Sequence, residues 1–247
     1  MMETQERKFR TRLNLAKKPI VTDGAMGTLL HERGVEIDAC FDELNLTQPA
    51  IVAEIHRDYI QAGAELIKTN TFGANRTKLE RHGLDEKVAE VNAAAVNLAQ
   101  RVVAASFKEV FIAGDMGPLG VPLAPFGRMQ VDEAREIYKE QAKTLIEAGV
   151  DLILIETMVD LYAVRAAVEA VREVDLEMPI IASMAFTRDR RTLLGDTPQE
   201  VATKINELDV DVIGVNCSGG PSQLLYILRQ MHQTVPEAKF SVMPNAG

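Results

Sequence analysis

The sequence is poor in the residues that mark secreted and membrane proteins. It has two cysteines in 247 residues, no tryptophan, and no apolar run near the 18 or so residues of a membrane span. Two cysteines cannot form a disulfide framework, and the charged start of the chain lacks the apolar segment of a secretory signal. We therefore expect a cytoplasmic protein without a membrane partner.

The sequence also lacks an excess of positive charge. Its net charge is −9, which argues against nucleic acid and anionic membranes as partners, because both need a basic surface. It contains no H-E-x-x-H, Cys-x-x-Cys or P-loop motif, and no G-x-G-x-x-G follows the first predicted strand. These absences argue against several common metal, redox and nucleotide sites.

Short apolar strands alternate regularly with amphipathic helices, which predicts an α/β fold with a parallel sheet. The length of 247 residues suits one domain over residues 1–247, a (β/α)8 TIM barrel. Only seven strands are found, so we expect the eighth to be missing from this chain; an open doubly wound sheet is the alternative. The predicted strands are 19–23, 65–72, 110–115, 151–156, 179–185, one beginning at Asp211, and 240–243, and the predicted helices are 47–63, 84–105, 131–148, 160–174, one beginning at Thr197, and 222–233.

Four predicted strands end in side chains that can carry chemistry, namely Asp23, Asn70, Glu156 and Cys217. Asp23 could instead cap a turn, Asn70 could satisfy backbone groups, and Cys217 could be a buried structural thiol. Glu156 follows four apolar residues, where a carboxylate is costly unless it is paired. The histidines, which lie in or beside predicted helices, are interpreted as solvated: His31, His56, His82 and His232.

Four motifs occur in order at strand ends: D-G-A-M-G-T at 23–28, T-N-T-F at 69–72, I-E-T at 155–157 and G-V-N-C at 214–217. Together they resemble the homocysteine S-methyltransferases. Within that family the chain is similar to the homocysteine-binding modules of cobalamin-dependent methionine synthases and of bifunctional homocysteine methyltransferase/methylenetetrahydrofolate reductases. The resemblance runs from about residue 19 to residue 247.

The resemblance implies a zinc enzyme that transfers a methyl group to the thiol of homocysteine and so makes methionine. Cys217 would be one of three cysteine ligands; the other two, an adjacent pair, are expected beyond residue 247, and Cys40 lies outside the pattern. Asp23 and Glu156 would bind the substrate ammonium group. The backbone N–H groups of the turn formed by Gly24, Ala25 and Met26 would bind its carboxylate.

Zinc fits this chemistry because a free thiol has a pKa near ~8.5 and is mostly protonated at neutral pH. Zinc with one open coordination position deprotonates a thiol that binds there. The methyl donor would be methylcobalamin or a folate on another module, or a small sulfonium or betaine. Two other interpretations stay open: an incomplete, non-catalytic barrel that binds an amino acid, and a pterin-binding type of barrel enzyme that uses Asp23 and Asn70 while Cys217 is structural.

Overall fold

The computed structural model describes residues 8–217 and 219–245. Its residues divide into two compact units, which fall within Met1–Asp115 plus Glu140–Ile153 and within Met116–Lys139 plus Leu154–Gly247. We call them the first unit and the second unit. The prediction of one domain over residues 1–247 stays a prediction.

Six strands in the described part of the chain form one sheet, whose order follows the sequence from the first strand to the last. The pairings of the first strand with the second, the fourth with the fifth and the fifth with the sixth are parallel. The α/β class is therefore confirmed, and closure into an eight-stranded barrel stays a prediction. The strands are β1 Leu66–Lys68, β2 Phe111–Met116, β3 Leu152–Met158, β4 Ile180–Met184, β5 Val212–Asn216 and β6 Phe240–Met243.

Helices connect the strands, as the alternation predicts. Among the described residues they are α1 Lys8–Leu15, α2 Met26–Glu32, α3 Leu44–Thr47, α4 Pro49–Ala62, α5 Arg76–Glu80, a 3-10 turn Asp85–Lys87, α6 Val88–Ser106, α7 Val131–Ala148, α8 Leu161–Val174, α9 Pro198–Asn206 and α10 Pro221–Thr234. None of these helices is long and apolar enough to cross a membrane.

The helix ends follow local chemistry. Gly63 ends α4 with φ of 109°, a left-handed conformation that glycine adopts without steric cost. Thr197 and Glu200 form a capping box where the helix was predicted to begin, at the start of α9, each side chain accepting the other residue's backbone N–H. The helix predicted from residue 47 begins at Pro49 instead. Thr47 ends α3, and its hydroxyl donates to the carbonyl of Glu43.

The first predicted strand, 19–23, is not a regular strand. Only an isolated bridge between Thr22 and Leu66 is present there. The second predicted strand, 65–72, is shortened to β1 because side-chain hydrogen bonds replace the sheet pairing after Lys68. Three short helices, α2, α3 and α5, were not predicted, since runs of seven, four and five residues show little helical periodicity.

One histidine was assigned wrongly. His31, His82 and His232 are exposed as predicted, but His56 is 0% exposed on the inner face of α4. Neither ring nitrogen of His56 has a hydrogen-bond partner, and burial lowers its pKa to about 4. His56 is therefore neutral at physiological pH and belongs to the core of the first unit.

Candidate active site

Asp23 lies in the first unit, where it is paired with the backbone of β1. Its carboxylate accepts the backbone N–H of Lys68 at 2.8 Å, and its own N–H donates to the carbonyl of Leu66 at 2.9 Å. The side chain is only 6% exposed, and Asp23 is one of the causes that raise the pKa of Tyr59, after burial of the phenol itself. Asp23 is thus a buried carboxylate held at a fixed place.

The glycine turn that follows Asp23 leads into α2, with Ala25 as the residue before the first helical turn. No side chain caps this helix start, and the hydroxyl of Tyr59 donates to the carbonyl of Ala25 at 2.9 Å. A Cβ atom at Gly24 would lie 2.8 Å from that hydroxyl oxygen. Glycine therefore lets the turn lie against Tyr59 without displacing the phenol ring.

The threonines of the T-N-T motif serve the structure of the first unit. The hydroxyls of Thr69 and Thr71 lie 2.6 Å apart, and that of Thr71 donates to the carbonyl of Asp115 at 2.8 Å. The N–H of Asp115 in turn donates to the hydroxyl of Thr69 at 3.0 Å. These bonds join the chain after β1 to the end of β2.

Asn70 has the structural role that was its alternative interpretation. Its amide donates to the carbonyl of Phe41 at 2.7 Å, and the amide of Asn45 donates to the carbonyl of Asn70 at 2.7 Å. The neighbouring Asp42 accepts the N–H of Gly73 at 2.9 Å, and burial raises the pKa of Asp42 to about 6. Asn70 thus fixes the loop before α3.

In the second unit, Glu156 is hydrogen-bonded to Asn216. The amide of Asn216 donates to Oε2 of Glu156 at 2.6 Å and to the hydroxyl of Thr157 at 2.8 Å. The amide oxygen accepts the N–H of Thr157 at 3.0 Å. Glu156 is 6% exposed and Asn216 5% exposed, so the charge cost of burying the carboxylate is offset by a strong hydrogen bond.

Cys217 directly follows Asn216 and is exposed. This excludes the interpretation of Cys217 as a buried structural thiol. Its N–H donates to the carbonyl of Met243 at 3.1 Å, which fixes the end of β5 against the end of β6. Cys217 has φ of 58° and Thr157 has φ of 59°, conformations that cost non-glycine residues about 1–3 kcal/mol each and concentrate at functional sites.

The second unit also contains an apolar cavity of about 270 Å³ beside the end of β3. Among the described residues that line it, the charged one is Asp160, whose carboxylate accepts the N–H of Ala163 at 2.8 Å as the cap of α8. The rings of Phe126 and Tyr162 contact each other at its wall. This cavity therefore suits an apolar group better than the charged ends of an amino acid.

A family model described as homocysteine S-methyltransferase matches residues 20–247. The chain belongs to the homocysteine S-methyltransferase family. It is 33% identical, over 94% of its length, to the methionine synthases of Mycobacterium tuberculosis and Mycobacterium leprae. It spans only 20% of the length of those two proteins.

Solved structures confirm the fold. The metallated form of the homocysteine methyltransferase MmuM from Escherichia coli matches with a TM-score of 0.85 at 23% identity, covering 97% of this chain and 87% of that chain. The carboxyl transferase domain of Rhizobium etli pyruvate carboxylase with 3-bromopyruvate matches with a TM-score of 0.55 at 15% identity, covering 96% and 37%. The chain therefore has the fold of this family.

A metal site was predicted at Cys217. In the described part of the chain no group of three histidine, cysteine or acidic side chains is placed to hold a metal ion. Cys40 is half-buried and packs against Leu79, Leu84 and Val88, so it is part of a small core cluster. The described residues of this member of the homocysteine S-methyltransferase family thus offer one exposed thiol and not a complete zinc ligand set.

Asn216 is the functional candidate that the sequence interpretation missed. It was counted only as part of G-V-N-C, although it is the last residue of β5 and a polar residue after four residues of a buried strand. The same signal had selected Glu156, which follows four apolar residues of β3. The rule that buried polar groups need partners could therefore have paired Glu156 with Asn216.

Proposed function

We propose that this chain binds homocysteine at the strand ends and supports methyl transfer to its sulfur, giving methionine. The observation that carries the proposal is the group formed by Glu156, Asn216 and Cys217, in which a buried, hydrogen-bonded carboxylate is joined to the residue before an exposed thiol. Membership of the homocysteine S-methyltransferase family supports the same reaction.

Homocysteine carries an ammonium group and a carboxylate at its amino-acid end. The ammonium group needs an anionic partner, and the carboxylate needs a cation or a set of N–H donors. We propose Asp23 in the first unit and Glu156 in the second as ligands for an ammonium group, since each is a buried carboxylate held by hydrogen bonds within its own unit. We assign the homocysteine carboxylate to the backbone N–H groups of Gly24, Ala25 and Met26, because the start of α2 has no side-chain cap.

In the reaction the homocysteine sulfur forms the new bond to the methyl carbon, the bond from that carbon to the donor breaks, and the thiol proton is lost. A zinc ion held by Cys217 and two cysteines that we expect outside residues 1–247 would keep the substrate thiol deprotonated at neutral pH. The described residues contribute Cys217 alone to such a site. What they do on their own is bind and orient the substrate.

The methyl donor is proposed to be methylcobalamin or a folate carried by another module, in the cytoplasm. The methionine synthases that resemble this chain are about five times its length, which leaves room for donor modules in proteins of that kind. A small sulfonium or betaine is the other donor class. We do not favour a pterin-binding use of Asn70, because its amide is already bonded to Phe41.

The test compares Cys217→Ser with Cys40→Ser in the longest natural polypeptide that contains this chain. We expect Cys217→Ser to lower kcat/KM for homocysteine by a factor on the order of 10³ or more and to reduce bound zinc, whereas Cys40→Ser should keep both within about threefold. Methionine formation and elemental analysis give the two readings. Unchanged activity in Cys217→Ser would overturn the proposal.

A further inference from the structure

We propose that Asn216 is a positioning residue that holds the Glu156 carboxylate in the orientation needed to bind the substrate ammonium group. This inference rests on the proposed function. It assigns a separate task to the asparagine of G-V-N-C, beside that of the cysteine that follows it.

The Asn216 side-chain amide uses all of its polar groups. Its two N–H groups serve Glu156 at 2.6 Å and the Thr157 hydroxyl at 2.8 Å, while its oxygen accepts the Thr157 N–H at 3.0 Å. Aspartate cannot donate, and serine is too short to reach both partners of a bridge. A carboxamide at this position is therefore specified by the geometry.

The order of the strands gives the Asn216 side chain a second role. Asn216 ends β5 while Glu156 and Thr157 belong to β3, and β4 lies between these strands in the sheet. The side chain thus joins the ends of two strands that are not neighbours. We call the group of Glu156, Thr157 and Asn216 the β3–β5 tie.

Residues at both ends of the tie have left-handed backbone conformations. Thr157 has φ of 59°, which is rare for a β-branched residue, and Cys217 has φ of 58°. The two bonds from Asn216 to the backbone and hydroxyl of Thr157 hold the first of these conformations. Asn216 thereby fixes the residue after the proposed ammonium ligand and also precedes the exposed thiol.

Glu156 is a buried carboxylate that the Asn216 amide helps to solvate. Glu156 is 6% exposed, so water contributes little to the solvation of its carboxylate. The Asn216 amide supplies a donor at 2.6 Å in place of water. A carboxylate supported in this way keeps a fixed direction toward a cation that enters the site.

The experiment uses four variants of the longest natural polypeptide: Asn216→Ala, Asn216→Asp, Glu156→Gln, and the exchange that combines Asn216→Asp with Glu156→Gln. Melting temperature, KM for homocysteine and kcat are measured for each. The exchange keeps a carboxylate and an amide in hydrogen-bond reach but moves the negative charge from β3 to β5.

We expect Asn216→Ala and Asn216→Asp to raise KM for homocysteine by roughly 10- to 100-fold, the effect of losing one hydrogen bond to a charged group. The exchange should recover the melting temperature lost in Asn216→Asp, while its KM stays as high as that of Glu156→Gln, because both lack the Glu156 carboxylate. A purely structural asparagine would leave KM of Asn216→Ala and Asn216→Asp, measured well below their melting temperatures, within about twofold of the unaltered protein, and that result would overturn the inference.

Asn70→Ala is the matched control, because this buried asparagine also follows a strand but bonds the loop before α3. It should lower the melting temperature and leave KM unchanged. If Asn216→Ala does not fold, Asn216→Asp still decides the question, since it keeps the side-chain size. Failure of the proposed function would be visible in the unaltered protein, which would form no methionine, whereas failure of this inference would be visible only among variants of an active protein.

Discussion

Polar residues follow strands in both units, but they do different work. In the first unit Asn45, Thr69, Asn70 and Thr71, which we call the loop-holding cluster, bond almost entirely to backbone carbonyls and to one another. In the second unit the β3–β5 tie joins a carboxylate to an amide, beside an exposed thiol. One group stabilises loops, and the other presents chemically competent side chains.

The difference shows that a polar residue at a strand end is not by itself a functional signal. The chemistry of its hydrogen-bond partners decides whether it is functional. A donor bonded to a backbone carbonyl leaves no charge in the site, whereas a carboxylate bonded to an amide keeps its negative charge. Variants in the loop-holding cluster should therefore change stability with KM unaffected. Variants in the β3–β5 tie should change KM.

The largest stability effect is expected from acid acting on His56. Its folded pKa of about 4 lies below the ordinary value near 6.5, so the unfolded chain binds the proton first as the pH falls. Stability is then complete above about pH 6.5 and decreases by about 3 kcal/mol as the pH falls to about 4. His56→Leu should remove this loss, as measured by urea unfolding at about pH 7 and about pH 4.5.

Asp42 has the opposite effect on the pH dependence of stability and therefore serves as a control. Its pKa, raised by burial to about 6, means that the folded state binds the proton first, so Asp42 favours folding as the pH falls from about 6 to about 4. Asp42→Asn should therefore make the protein more sensitive to acid, and His56→Leu less. Equal acid sensitivity in the two variants would show that neither group controls stability in the first unit.

Gly214 of the G-V-N-C motif is closely packed against neighbouring strands. A Cβ atom there would collide with the side chain of Ser183 and would lie 2.5 Å from Oγ of Ser241. We expect Gly214→Ala to lower the free energy of unfolding by about 2 kcal/mol through overpacking, and Ser183→Gly to restore part of it. Thermal unfolding of the single and double variants measures this; additive losses would contradict the collision.

Asn70→Leu tests the loop-holding cluster directly. It leaves the carbonyl of Phe41 and the side-chain oxygen of Asn45 without the Asn70 donor, so we expect a loss of about 1.5 kcal/mol in the free energy of unfolding. KM for homocysteine should stay within about twofold. A large rise in KM at unchanged stability would mean that the two clusters do not differ as proposed.

Much of the fold could be predicted because the signals were local. The helix α7 and the strand β6 have the predicted bounds, since a long amphipathic repeat and a short apolar run need no distant partner to be recognised. The stretch 19–23 looks like a strand for the same reason. It forms only the bridge from Thr22 to Leu66. Strand pairing depends on the neighbouring segment, which the residues of 19–23 alone do not reveal.

The site was predicted less completely. Asp23, Glu156 and Cys217 were selected by their place after apolar runs, but whether Asp23 and Glu156 serve one substrate stays a prediction. Asn216 was missed because its partner lies 60 residues away in the chain. The burial of His56 was missed because polar residues on helices are usually solvated, and only packing against other elements shows the exception.

The smallest effect comes from a residue of the second unit with no link to the tie. Thr197 accepts the N–H of Glu200 at 3.3 Å as the cap of α9, and replacing such a cap by alanine costs about 1 kcal/mol. Thr197→Ala should therefore lower the midpoint of urea unfolding without changing KM for homocysteine. Asn216→Asp lies in the same unit. If the two variants lose a similar amount of stability but only Asn216→Asp raises KM, then Asn216 positions Glu156 and does not act by weakening the second unit in general. If Thr197→Ala raised KM as well, stability alone would explain the behaviour of the tie.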